Sequence, residues 1–219
     1  MNLINHRYFS LAITLITCVL ALLSSLTLNY DFLFQFVDEG GFIETLTVVF
    51  YFIAALFALF YPQKTIRLDS RVAIAILMLA MLAREADLHK ILGMSMLKIK
   101  FWLTSESSIS DKILAAIILL FLAFSLYILI RRSAKTWLLD LKLGKTYAVT
   151  LFIFFAVLVI SKIIDRSVNM IYEITNWMAP IWVVAIQLPQ EEYLECLLPL
   201  LIIVAITQYD NSKKLSHKL

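Results

Sequence analysis

A chain of 219 residues that is 62% hydrophobic and 16% charged, with a mean hydropathy of +0.88, lies outside the soluble range, where ~45–50% of residues are apolar and ~25% charged. Four glycines and four prolines exclude a disordered or loop-rich chain, and two cysteines exclude a disulfide scaffold. The composition predicts an all-α, polytopic membrane protein, and its net charge of +3 gives no reason to expect a nucleic-acid partner.

Six apolar segments follow in order: 9–28, 41–61, 72–92, 112–130, 147–172 and 191–209. Each is predicted to be a transmembrane helix, because lipid offers no partner to an unpaired backbone group. Gly40-Gly41 and Pro62 punctuate the second segment, and Asn176, Trp177 and Pro180 end the fifth. Residues 181–188 are apolar but too short to span, and they read as an interfacial or re-entrant piece between Pro180 and Pro189. Residues 1–210 form a single membrane domain, and residues 211–219 form a polar tail. Cys18 and Cys196 fall within apolar runs and read as small buried side chains.

Charge then divides by side. Arg7, Lys64, Arg67, Arg71, Arg131, Arg132, Lys135, Lys142, Lys145, Lys213, Lys214 and Lys218 fall on one side, with only Asp69, Asp140 and Asp210 among the acids. That side carries +9 and the other, with seven bases and thirteen acids, −6. The positive-inside rule and six crossings place both termini in the cytoplasm, in a plasma membrane of bacterial inner-membrane type. Membrane lipids are then the expected partners, and the basic loops meet anionic headgroups. Oligomeric state is not legible.

The acids at the outer ends of the helices carry the functional reading. An ionisable side chain within a span costs ~2.5–3.5 kcal/mol on insertion scales and marks a functional site by default. The third segment ends in Arg84-Glu85-Ala86-Asp87-Leu88-His89. On a helix, Glu85 and His89 share a face, and Arg84 and Asp87 form an i, i+3 pair. The fifth carries Lys162, Asp165, Arg166, Asn169 and Glu173 as one polar stripe. The sixth is expected to open with Glu191-Glu192-Tyr193-Leu194-Glu195, where a helix N-terminus favours carboxylates. Glu44 opens the second at the same depth. Such an excess of acids in one cleft calls for retained protons, a divalent cation or a cationic substrate. The metal-ligating candidates are Glu44, Glu85, Asp87, His89, Glu191 and Glu195. The catalytic candidates are Arg84, Glu85, Asp165, Arg166 and Glu192.

No His-Glu-x-x-His motif, P-loop or paired Glu-x-x-His motif is present. Glu191-Glu192 is similar to the start of the Glu-Glu-x-x-x-Arg motif of CAAX-type intramembrane proteases, but Cys196 stands where the arginine belongs and no helical histidine follows. Glu191-x-x-x-Glu195 is similar to the Glu-rich segment of undecaprenyl-pyrophosphate phosphatases, whose Pro-Gly-x-Ser-Arg loop is missing. Neither resemblance assigns the chain. Two readings stand: a metal- or carboxylate-dependent hydrolase or transferase acting on a lipid or lipid-linked substrate, or a proton- or cation-coupled transporter or binding protein. A non-catalytic assembly factor is the third.

Overall fold

The computed structural model describes residues 3–38, 40–62, 65–88, 96, 99–103 and 108–216. Among these there is no strand, and the order is a short 3-10 turn (Leu3–Asn5), then α1 (Phe9–Thr27), α2 (Tyr30–Val37), α3 (Phe42–Phe60), α4 (Leu68–Glu85), α5 (Ile99–Leu103), α6 (Ile109–Lys142), α7 (Thr146–Thr175) and α8 (Ile181–Ser216). Five stretches are long and apolar enough to cross a membrane: Phe9–Thr27, Tyr30–Phe60, Ile109–Lys142, Thr146–Thr175 and Ile181–Lys214. α4, the counterpart of the third apolar segment, is not among them, because its 18 residues include Asp69, Arg71, Arg84 and Glu85.

The helices run longer than the apolar segments suggest. α6 carries the basic stretch after Ile130 as helix, so the expected long loop shrinks to three residues, with Gly144 in the left-handed region at φ 68°. Trp137 is therefore a helix residue, and its indole N–H donates to the Ala148 carbonyl of α7 at 3.1 Å. α8 starts ten residues before Glu191 and runs through Pro189 and Pro199, so residues 181–188 are its first two turns and not a separate piece. Residues 211–216, expected as a polar tail, are its last turns. α2 was not expected at all. Its eight residues are nucleated by Asn29, whose side chain accepts from the Phe32 N–H at 2.9 Å.

The chain divides into two compact units, Met1–Phe50 with Trp137–Leu219, and Tyr51–Thr136. In the first, α8 packs along α7 and α1. A polar layer ties these three together at the basic end: the buried Thr150 hydroxyl contacts Ser10 Oγ at 3.0 Å and Gln208 Oε1 at 2.7 Å. Gln208 Nε2 donates to the Ile4 carbonyl at 2.6 Å, and Asn211 donates to Asn5 at 3.1 Å. Both ends of the described chain thus meet at one end of this unit. Two of its acids are paired there, Asp140 with Lys145 (2.7 Å) and the Tyr147 hydroxyl, and Asp210 with Lys214 (2.5 Å).

In the second unit, Ala54, Ala55 and Ala58 of α3 and Ala73, Ala75 and Met78 of α4 are buried. Small side chains at such spacing let two membrane helices approach closely. Arg71, in the first turn of α4, donates to the carbonyls of Ala58 (3.0 Å), Leu59 and Tyr61 (3.0 Å) at the end of α3. A cation there satisfies carbonyls that the helix itself leaves without donors. Asp69 is held by Arg132 at 2.5 Å.

Candidate functional site

Lys162 is the organising residue. Its ammonium pairs with Glu195, lies 3.8 Å from Glu191 and 3.5 Å from Asp165. Glu191 and Glu195 are buried, at 8% and 3% exposure. One cation of α7 therefore meets two carboxylates of α8 and one of its own helix, a turn away. Gln187 extends the group: its Nε2 donates to the Ile164 carbonyl at 3.1 Å, the Asp165 carbonyl at 3.4 Å and Glu191 Oε2 at 3.3 Å.

The site's depth follows from helix register. From Thr150 to Lys162 α7 rises twelve residues, and from Gln208 to Glu195 α8 spans thirteen, ~18 and ~20 Å at 1.5 Å per residue. The two helices therefore run side by side from the polar layer to the ion pairs. Beyond them Gln187, one turn before Glu191, meets the Ile164 and Asp165 carbonyls, two and three residues past Lys162, so the first turns of α8 stay against α7. Pro189 lies within this stretch and has no N–H to give the Ala185 carbonyl, which is a recognised cause of a helix bend. The first turns of α8 are held on their other side by α1, where Gln190 donates to the Cys18 carbonyl at 3.0 Å, and by Leu33, Val37 and Ile43, which pack with Ala185 and Leu188.

Between the polar layer and the ion pairs, Phe154 and Val157 of α7 and Leu198, Leu201, Ile202 and Ala205 of α8 are all buried. An apolar seam therefore separates the site from the basic end along this helix pair. Above the site, Ile164, Ser167, Trp182, Val183, Ile186, Gln187 and Gln190 line a groove of about 280 Å3.

The other predicted residues fall elsewhere. Glu192 is half-buried, next to Glu191 and one turn before Cys196. Arg166, Asn169 and Glu173 are exposed on the last turns of α7. Glu44 accepts from the Gly40 N–H at the start of α3 and so serves as part of that helix's cap. The adjoining turn requires glycine at 41, where a Cβ would come within 2.7 Å of the Asp38 carbonyl oxygen. Arg84, Glu85 and Asp87 belong to the second unit. α4 ends at Glu85, and Asp87 takes a left-handed conformation at φ 51°, so Arg84 and Asp87 do not share one continuous helix. α4 stops before position 89, and His89, expected on one face with Glu85, lies outside the described residues. Among the described residues no group of three or more His, Cys, Asp and Glu side chains converges as a metal set. The expected N-terminal position of Glu191, Glu192 and Glu195 is also corrected: they lie three to four turns inside α8, beyond reach of the helix-end field.

Gln187 was missed from the sequence. Its signal was present, four residues before Glu191 and on the same helical face, but it shows only once residues 181–188 are read as helix.

No known protein family, curated protein or solved structure matches this chain.

Proposed function

We propose that this is a six-span plasma-membrane protein with both termini in the cytoplasm, carrying a one-sided acid–base site in the outer leaflet and acting as a hydrolase or transferase on a lipid or lipid-linked substrate. The sixth crossing is α4. Its support is that Ile4 and Asn5 meet Gln208 and Asn211, so the number of crossings is even, and five stretches already qualify by length and composition. The basic end of the first unit is the cytoplasmic one by the positive-inside rule.

The observation that carries the reading is the group of half-buried Lys162 and Asp165 with buried Glu191 and Glu195, separated from the basic end by the apolar seam. In a poorly solvated setting, carboxylates and an ammonium in contact are an acid–base pair whose electrostatic effect exceeds that in water. Glu195 and Glu191 would take the proton of an attacking water or alcohol. Lys162, with Arg166 on the exposed flank, would hold a phosphate or developing oxyanion. A divalent cation at Glu191 and Glu195 would have to displace the Lys162 ammonium. Glu195→Gln and Lys162→Gln are expected to abolish the lipid change that the wild type produces in membranes of expressing cells, with folded protein present at normal levels. Protein-bound metal is measured in the same preparations. Unchanged membrane lipids between wild type and both variants would overturn the assignment.

A second reading has one observation in its favour: an ammonium shared by three carboxylates is a place where a proton or another cation can take its turn. It requires a path past Phe154, Val157 and Leu201. Proteoliposomes showing pH-gradient-driven cation flux that Glu195→Gln abolishes would favour it over the enzyme.

A further inference from the structure

We infer that Gln187 is a positioning residue: it fixes Glu191 as a standing counter-charge to Lys162 and leaves Glu195 as the carboxylate placed to exchange a proton. The inference rests on the acid–base site proposed above and divides the work between the two buried carboxylates of α8.

The main chain of α7 sets the orientation of the Gln187 amide. The carbonyls of Ile164 and Asp165 lie 3.1 and 3.4 Å from its Nε2. A carboxamide has N–H donors at one end and only lone pairs at the other. Turned over, it would set its oxygen against two carbonyl oxygens, so only one orientation satisfies both. The same N–H end then meets Glu191 Oε2 at 3.3 Å. An O–H at that oxygen would point at a donor, so Oε2 serves as an acceptor. The other oxygen of Glu191, Oε1, faces Lys162 at 3.8 Å. Both oxygens of Glu191 are thus turned to donors held on α7. The turn that carries Gln187 is itself fixed, by Ala185 and Leu188 in their apolar cluster and by Gln190 on the Cys18 carbonyl.

Proton transfer needs a heavy-atom approach of about 2.6–3.2 Å. Glu191 at 3.8 Å and Asp165 at 3.5 Å lie beyond it and act on Lys162 through charge. Glu195 is in direct contact with the ammonium. When Glu195 takes up a proton, Lys162 loses its nearest counter-charge, and an uncompensated charge in such a setting is costly. A Glu191 pinned by Gln187 keeps the ammonium compensated through that step.

The test is solid-state NMR of the full chain in bilayers of phosphatidylethanolamine and phosphatidylglycerol, with 15Nζ-lysine and 13Cδ-glutamate. Lys145 and Lys214 pair with aspartates, which carry no label, so the nitrogen–carboxyl couplings report Lys162. Two are expected in the wild type: a strong one that Glu195→Gln removes and a weak one that Glu191→Gln removes. Gln187→Met and Gln187→Glu, which keep the length and lose the N–H donors, are expected to lose the weak coupling and keep the strong one. Gln190→Met, which loses the bond to Cys18, is expected to keep both. A weak coupling that survives in the Gln187 variants would overturn the inference, and so would its equal loss in Gln190→Met. If neither Gln187 variant folds, the wild type decides, since equal couplings from the two glutamates would overturn the division. The expected couplings together with cellular lipids unchanged between wild type and Glu195→Gln would leave the positioning role standing while the enzymatic assignment fails.

Discussion

Lys162 carries a charge that its surroundings would not tolerate alone, and the same holds for Glu191 and Glu195. Removing one partner from a buried ion group leaves the other uncompensated, at about 3–5 kcal/mol, whereas neutralising both sides often costs little. Lys162→Met is therefore expected to lower stability in detergent by about that amount, and the double variant Lys162→Met with Glu195→Leu is expected to recover most of it. Thermal unfolding of the three proteins checks this. A double variant no more stable than Lys162→Met would show that the pair is not the unit. These residues were legible in the sequence because ionisable groups inside apolar segments stand out without any structure. Which acid meets which base was not legible, since it depends on the register of two helices 29 residues apart in the chain at Lys162 and Glu191. Local roles were not legible either: Glu44 accepts from the Gly40 N–H, and Asp87 sits in a turn with left-handed backbone.

At the scale of elements, α8 is where the sequence misleads. Two prolines and a run of carboxylates from Glu191 suggest a helix start, yet the segment before Pro189 stays helical. It is held by Leu33, Val37 and Ile43 on one side and by the bonds of Gln187 and Gln190 on the others. Tertiary contacts override the proline signal. Pro189→Ala gives the Ala185 carbonyl an N–H partner and is expected to raise the unfolding temperature of the protein in detergent. A temperature unchanged or lowered in thermal unfolding would show that the helix gains nothing from that bond. The end of α7, by contrast, was plain in advance: Asn176 takes the left-handed conformation at φ 55° that asparagine tolerates, and the helix stops there.

On the scale of the whole molecule, hydrophobic periodicity and composition were enough to expect a helical membrane protein, because lipid leaves few alternatives. They were not enough to separate a crossing helix from a merely apolar one. α4 has the length of a span but four charged residues at its ends, two of them occupied by Arg132 and by the carbonyls of α3. The proposed six-span arrangement gives a direct expectation. With Cys18 and Cys196 replaced by alanine, cysteines introduced at Tyr8 and Lys214 should react with a membrane-impermeant thiol reagent from the same side, and one at Met178 from the opposite side. Labelling of positions 8 and 214 from opposite sides would sink the six-span arrangement. The contact between Gln208 and Ile4 joins residues 204 apart in the chain, and it bears on how the protein is made. During synthesis, α1 and α7 enter the bilayer with Ser10 and Thr150 still lacking Gln208, which is made after both of them. The nascent protein therefore passes through an inserted but unlatched stage. A chain stopped before Gln208 would stay there, exposing a hydroxyl pair in lipid to the membrane's quality-control proteases.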